Sequence, residues 1–551
     1  MKPKFFTTIK NYNKQQFISD LTAGIIVAII ALPLSIALAI ASGVTPEKGL
    51  HTAIIAGFII SFLGGSRVQI GGPTGAFMVI VYGIVMKYGL DGLIMATMMG
   101  GIMMILMGVF KLGSVIKFIP HPITTGFTSG IAVTIFSSQI KDFFGLKLDV
   151  VPAEFLEKWH AYIGAFGTTQ IQTLIIGVIA LLIIVFWPKD KIKVPGSLAA
   201  LVVTTLIVQF TPMEVATIGS KFGELSSALP VPHLPAFSIE KVRLLIGPAF
   251  TIALLGSIES LLSAVVADGM IGGKHRSNTE LIAQGIANMA SALFGGIPAT
   301  GAIARTVANI KNGGRTPVAG MVHAITLLLI MLVFMPLAKL VPLSALAAIL
   351  IVVAYNMSEW REFLGLLKSP KSDVIVLLIT FFVTVLVDLV VAIEIGMVLA
   401  SLLFMKRMAD VTEVKELTRD TAEEDDSFTP SFDPAILERL PSHITVYEVN
   451  GPFFFGAADK FLEVSKEVDR TTKIMILRLR NVPAMDATAV HALKRFISVC
   501  KKNKVKLLFS GLKQQPREVL QKSGLIDTLG EDAIFENFEE ALSFAETLPI
   551  K

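Results

Sequence analysis

Apolar runs long enough to cross a bilayer follow one another from about residue 21 to residue 408, where the pattern changes to short apolar stretches alternating with charged ones. A hydrocarbon core about 30 Å thick takes roughly 20 helical residues. On that measure the first half of the apolar region holds spans near 22–42, 50–65, 74–87, 91–110, 113–138, 171–187 and 195–210, the fifth divisible at Pro120-His121-Pro122. The second half holds spans near 244–267, 279–294, 302–311, 317–337, 341–355, 372–388 and 389–407. That is seven and seven. A repeat with an odd number of crossings lies inverted in the membrane relative to its copy.

Spans three and ten are too short to cross alone, and nearly the same letters open them: Gly71-Gly72-Pro73-Thr74-Gly75-Ala76 and Gly295-Gly296-Ile297-Pro298-Ala299-Thr300-Gly301-Ala302. Each is expected to enter the membrane as an extended strand and continue as a half-helix. Such backbone survives at membrane depth only where protein or a water-filled cavity satisfies its polar groups. Two half-helix N-termini then face each other near the midplane, where exposed N–H groups and positive dipole ends favour an anion.

With 53% hydrophobic and 17% charged residues, the chain is too apolar for a soluble globule. A net charge of +5 is small for 551 residues and spread over loops, so it bears on topology rather than on nucleic acid. Lys2, Lys4, Lys10 and Lys14 precede the first span, which reads as an uncleaved helix with its tail inside; Lys189, Lys191, Lys193, Lys406 and Arg407 mark further inner loops. Cys500 is the one cysteine, which excludes an internal disulfide or thiolate cluster. The boundaries that follow are a cytosolic tail at 1–20, a membrane domain at 21–408, a polar linker at 409–440 and a soluble domain at 441–551. The last reads strand (Ile444–Val449), Gly456-Ala457-Ala458 turn, helix, strand (Ile474–Leu479), helix from Ala487, strand (Val505–Phe509) and short helices near 515–522 and 537–546, a small α/β layer fold.

Arg305 lies inside the tenth span, where a charge is costly and usually functional. Its guanidinium suits an oxyanion, and the bland alternative is snorkelling or a structural carboxylate pair. Glu259 and Ser263 stand i and i+4 on one face of the eighth span, placed to share a proton or cation; a structural ion pair of Glu259 with Arg305 is the alternative. Asp268 reads as interfacial, Asp388 and Glu394 as turn acids, and His121 and His323 as satisfied or interfacial, with no metal-ligand spacing around them. Asp486 is placed to cap the helix after it.

These residues resemble the SulP family of anion transporters, which includes bacterial sulfate, bicarbonate and dicarboxylate permeases and the animal exchangers pendrin and prestin. The resemblance covers nearly the whole chain. It is carried by Asp20-Leu21-Thr22-Ala23-Gly24 leading to Ala31-Leu32-Pro33, by Gly71-Gly72-Pro73-Thr74-Gly75, by Val194-Pro195-Gly196, by Arg305-Thr306-Val307-Ala308-Asn309 with Gly313-Gly314-Arg315-Thr316, and by a tail similar to STAS domains. It implies a polytopic α-helical membrane protein of fourteen spans in 7+7 inverted repeats, divided into core and gate, usually dimeric and working by elevator-like movement. It places the anion near Pro73, Thr74, Gly75, Ala76 and Phe77 and near Ala302, Ile303, Ala304 and Arg305, with Leu34 and Leu38 lining the same pocket. Some family exchangers carry serine where this chain has Ala304, so backbone N–H groups take a larger share of anion binding here. Sodium-driven bicarbonate members carry Asp and Thr at the positions of Glu259 and Ser263; the longer carboxylate favours proton coupling, with sodium left open. STAS domains resemble anti-sigma-factor antagonists whose phosphoserine follows an Asp; Ala487 stands there, and Thr488 is a weak substitute.

The expectation is a secondary active transporter of small oxyanions, sulfate first, in the bacterial cytoplasmic membrane with both termini inside. It needs no cofactor, metal or nucleic acid and performs no enzymatic step, with lipids, a second copy and a cytosolic ligand of the tail as partners. The rivals are bicarbonate or C4-dicarboxylate transport, a nucleobase permease of similar fold, an anion channel, and a membrane-anchored regulator acting through its tail.

Overall fold

The first apolar run becomes helix α1 (Lys14–Ala41), opened by Asn13, whose side chain accepts the Gln16 amide at 2.8 Å. This is a computed structural model; it describes residues 2–114, 119–148, 150–188, 195–228, 230–235, 238–387, 389–417, 440–454, 461 and 472–549. After α1 come α2 (Pro46–Leu63), strand β1 (Gly71–Gly72), α3 (Gly75–Val109), α4 (His121–Phe144), α5 (Phe155–Ala165), α6 (Ile171–Phe186) and α7 (Gly196–Phe210). The second repeat holds α8 (Ile239–Ile271), α9 (Ser277–Leu293), β2 (Thr300–Gly301), α10 (Ile303–Lys311), α11 (Pro317–Ala338), α12 (Leu343–Met357), α13 (Trp360–Leu366), α14 (Lys371–Leu386) and α15 (Leu389–Val411). Among the described residues, five helical stretches are individually long and apolar enough to cross a membrane: α1, α3, α8, α11 and Leu343–Leu366. The other crossings are shorter or more polar, and the whole is a helical membrane fold of inverted repeats.

Two features differ from the hydrophobicity reading. Spans three and four run on as the single α3, broken only at Gly89, whose φ of +70° is open to glycine. The fifth span divides at Pro120-His121-Pro122, the break its prolines offered, and α4 starts at His121 because proline at N1/N2 starts a helix without needing its own N–H. Helix α5 was not expected; its apolar stripe is too short and polar to register as a span. Lys189, Lys191, Lys193, Val194, Asp388 and the Gly456-Ala457-Ala458 turn lie outside the described residues.

The helices pack in two groups. One joins α1, α2, α3, α8, α9, α10 and α11; the other joins α4, α6, α7, α12 and α14, which corresponds to core and gate. Within the first, α3 and α9 approach at glycine: a Cβ on Gly101 would fall 2.7 Å from the Gly285 carbonyl oxygen, and one on Gly285 2.5 Å from that of Gly101.

The unit Val398–Lys551 has its own sheet in the order β3 (Glu413–Glu416), β4 (Ile444–Asn450), β5 (Ile474–Asn481), β6 (Lys506–Ser510), β7 (Ile534–Phe535), parallel except at the β3–β4 pair. Strand β3 therefore takes part of the stretch read as linker; 418–439 lie outside the described residues. Helices α16 (Ala487–Lys502), α17 (Gln514–Lys522) and α18 (Phe538–Thr547) fall within two residues of their expected positions. Asp486 caps α16 by accepting the Ala489 amide at 2.8 Å.

Candidate functional site

Strands β1 and β2 pair antiparallel, Gly71 opposite Gly301 and Gly72 opposite Thr300, and each hands over within three residues to a helix N-terminus, Gly75 in α3 and Ile303 in α10. Neither helix has a side-chain cap. At α3 the cap position is Thr74, a residue type that ordinarily bonds the N2 or N3 amide. Its hydroxyl instead donates to Glu259 Oε2 at 2.8 Å, and Thr300 donates to the same oxygen at 3.0 Å. The first N–H groups of both half-helices are thus left for another acceptor.

Glu259, on α8, joins the two repeats through those threonines. It is partly accessible, and two hydroxyls occupy one of its oxygens. Ser263 is not brought to it: the Ser263 hydroxyl lies 3.3 Å from Thr306 Oγ1 on α10 and is buried. The i, i+4 spacing put both side chains on one face without fixing rotamers, and α10 takes the serine. Ser260 accepts the Gly301 amide at 3.1 Å, and its carbonyl accepts from Gln69 Nε2 at 2.7 Å.

Arg305 is 1% exposed. Its Nη2 donates to the Pro73 carbonyl across the repeat interface, while Nε and Nη1 have no partner among the described residues. Among those residues no carboxylate forms an ion pair with it, so the expected alternative of a Glu259–Arg305 bridge is not what the structure holds. The guanidinium sits behind Pro73, on the Gly72 side; a Cβ on Gly72, at φ +153°, would collide with Nη1. Its charge therefore acts through the peptide turn rather than from the accessible face. That face is Thr74, Ile303 and Ala304, with Glu259, while Pro73, Gly75, Ala76, Phe77 and Ala302 are buried around it. Leu38 is buried, and Leu34 packs against the same apolar cluster as Ala76 and Phe77. Arg315 lies in a loop, donating from Nη1 to the Ile310 carbonyl at 2.9 Å.

The strand before α3 is stitched to α10: Ile70 N donates to Thr306 Oγ1 at 3.0 Å, Asn309 Nδ2 to the Val68 carbonyl at 2.8 Å, and Ala302 N to the Ile70 carbonyl at 2.8 Å. Gly301 leaves the space that Gln69 fills, and a Cβ there would fall inside the Gln69 amide. Gly301→Ala is expected to lower stability by about 1–3 kcal/mol, as overpacking of a filled interior does. Thermal denaturation of the detergent-solubilised protein checks this; an unchanged midpoint would mean that Gln69 yields without cost.

The sequence did not single out Gln69 or Ser260, and Thr306 and Asn309 entered only as letters of a motif; the roles of all four arise when α8 and α10 come together. Thr300 was visible in the letter match with Thr74. His323 differs from expectation: it is fully buried behind β1, and neither ring nitrogen has a partner among the described residues.

The profile of the sulfate permease family matches residues 17–380, and that of the STAS domain residues 436–541. The chain belongs to the sulfate permease family. Within this family it is 44% identical to the putative sulfate transporter YvdB of Bacillus subtilis, covering 98% of this chain and 99% of that one. It is 31% identical to the bicarbonate transporter BicA of Picosynechococcus over 96% of this chain and 94% of that one. In structure it is similar to the transmembrane domain of a cyanobacterial BicA, at 30% identity and a TM-score of 0.63 over 71% of this chain and 98% of that one. SLC26A9 shares the fold of the permease at a TM-score of 0.86 and 19% identity, over 98% of this chain and 92% of that one.

Proposed function

We propose that this permease carries a small oxyanion, sulfate first, across the bacterial cytoplasmic membrane by proton-coupled symport, with the anion held between the N-termini of α3 and α10. The observation that carries the reading is the unpaired, buried Arg305 beside two uncapped half-helix N-termini, bridged by one carboxylate. Each N-terminus contributes roughly half a positive charge. With Arg305 the site holds about two positive charges, reduced to about one when Glu259 is ionised. A divalent anion is balanced when Glu259 is protonated, which makes the proton and sulfate arrive together. Sulfate also agrees with the relative at 44% identity, itself a putative sulfate transporter.

The two helix groups supply the moving parts of an elevator: β1, β2 and both half-helices belong to one group, so the site travels with it while the other group holds its place. A dimer through the stationary group and cytosolic termini complete the proposal, with the STAS domain as the surface for a cytosolic partner. Bicarbonate is the second reading. It is favoured by the relative BicA and by the single net charge that remains when Glu259 is ionised.

The test is uptake of labelled sulfate, bicarbonate and fumarate by purified protein in liposomes, with an inward proton gradient, an inward sodium gradient or neither. Saturable, proton-driven sulfate uptake is the expected result. Sodium-driven bicarbonate uptake would replace it with the second reading, and gradient-independent, non-saturating flux would mean a channel.

A further inference from the structure

Helix α5 buries Lys158, Tyr162 and Ala165, which stand at i, i+4 and i+7. That is the stripe on which an amphipathic helix turns its apolar residues inward, and a lysine occupies its first position. Lys158 is 7% exposed. Its side chain is withdrawn from solvent while its nitrogen keeps some access and has no hydrogen-bond or ion-pair partner among the described residues; a cation so placed is costly without a counter-charge. One turn along the same face, the Tyr162 hydroxyl is also buried and without a partner.

Lys158 lines a cavity of about 600 Å³ whose wall includes Met78, Tyr82 and Met86 of α3, Thr134 and Ser138 of α4, and Phe155. The wall along α3 begins one turn beyond the half-helix N-terminus at Gly75 and continues for roughly 12 Å at the helical rise. The cavity also reaches Ile40, Ala41 and Gly43, the end of α1 opposite the chain's N-terminus. Two of its wall residues are tied together, Tyr82 Oη donating to the Val151 carbonyl at 2.8 Å, and next to Lys158 the Trp159 Nε1 donates to Ser137 Oγ at 3.1 Å. The other charges on the wall are engaged or peripheral. Lys141 donates to the Leu148 carbonyl, Lys221 lies 3.8 Å from Asp142, and Glu154 is solvent-exposed.

We propose that Lys158 and this cavity form a second anion site, an antechamber in which a small oxyanion is held on its way to or from the junction of α3 and α10. The inference rests on the transport reading for its role, while the site itself stands on the buried cation and the cavity. Lys158 supplies the counter-charge and the other wall residues supply room, since the volume exceeds that of a small oxyanion and admits part of its hydration shell. The wall carries Lys141, Lys158 and Lys221 against Asp142 and Glu154, an excess of one positive charge, and low-dielectric walls around such an excess raise the local concentration of the opposite ion about tenfold or more.

Two measurements on the full-length protein test this. In sulfate uptake by proteoliposomes, Lys158→Gln is expected to raise KM about tenfold with kcat within about twofold, and Lys158→Arg to restore KM. A fall in kcat at constant KM would assign Lys158 a structural role and overturn the proposal. The second measurement does not need transport. A thiol introduced by Ser138→Cys, on the cavity wall, is labelled with an anionic and with a cationic methanethiosulfonate reagent, with and without Lys158→Gln. Cys500 stays silent, since burial pushes its thiol up to about 12. The anionic rate is expected to fall about tenfold on loss of Lys158 and the cationic rate to rise; equal changes in both would overturn the antechamber. If the unmodified protein carries no sulfate, the transport reading fails while the labelling ratio still decides this site.

Discussion

Arg305→Ala is expected to reduce kcat/KM for sulfate uptake by about 30- to 1000-fold, the equivalent of roughly 2–4 kcal/mol for one buried charge acting on an anion from behind the Pro73 turn. The folded state should change little, because removing a buried guanidinium with two of its three nitrogens unpaired relieves a desolvation cost that offsets the cavity alanine leaves. Loss of transport with an unchanged or raised thermal midpoint is therefore the signature of a functional charge. Arg305→Lys keeps the charge but loses the planar fork that reaches the Pro73 carbonyl, so an intermediate loss is expected. The idea is sunk by the opposite pattern: a large drop in midpoint with uptake per folded molecule intact would make Arg305 a brace between the repeats and nothing more.

The location of the site was legible because its backbone is unusual. Glycine and proline interrupt apolar sequence twice at corresponding places, and only a strand-to-half-helix transition explains both. The two copies agree in letters through Thr74 and Thr300, yet α3 starts one residue after its threonine and α10 three residues after its own. Sequence similarity therefore found the shared carboxylate ligands better than it found the shared helix start. Ser263 shows the converse limit. Helical spacing gave its face correctly, but its partner depends on how α10 crosses α8, and its hydroxyl goes to Thr306.

Lys158 and His323 were illegible for a different reason. Both stand where a polar residue reads as loop or interface in one dimension, and their burial follows from a helix laid over a cavity in one case and from packing behind β1 in the other. The tail was read closely, because strand and helix alternate with charged turns there and a parallel sheet buries continuous apolar runs. Its least predictable feature was the ion pair between Glu448 and Arg478 at 3.5 Å, which joins β4 to β5 and is almost wholly buried.

Glu259→Gln is expected to abolish proton-driven accumulation of sulfate while leaving sulfate–sulfate counterflow in place. Glutamine has the same length, and its carbonyl oxygen can accept from Thr74 and Thr300 as Glu259 Oε2 does, so the link between the repeats persists. What disappears is the titration. If the protonated carboxyl is the form that accompanies a divalent anion, affinity in the unaltered protein rises as pH falls, with at most one proton bound per sulfate and therefore at most about a tenfold change in KM per pH unit. In the glutamine variant the site stays at about two positive charges at every pH, so KM becomes flat with pH and matches the low-pH value of the parent. Counterflow continues because each return of the carrier is loaded, whereas net uptake stops because no proton can leave the site together with the anion on the far side. Measuring KM and counterflow between pH 6 and 8 separates this from damage to the fold. A variant that keeps its pH slope would move the coupling proton to another group, and one that loses counterflow as well would make Glu259 part of the binding surface rather than the coupling acid.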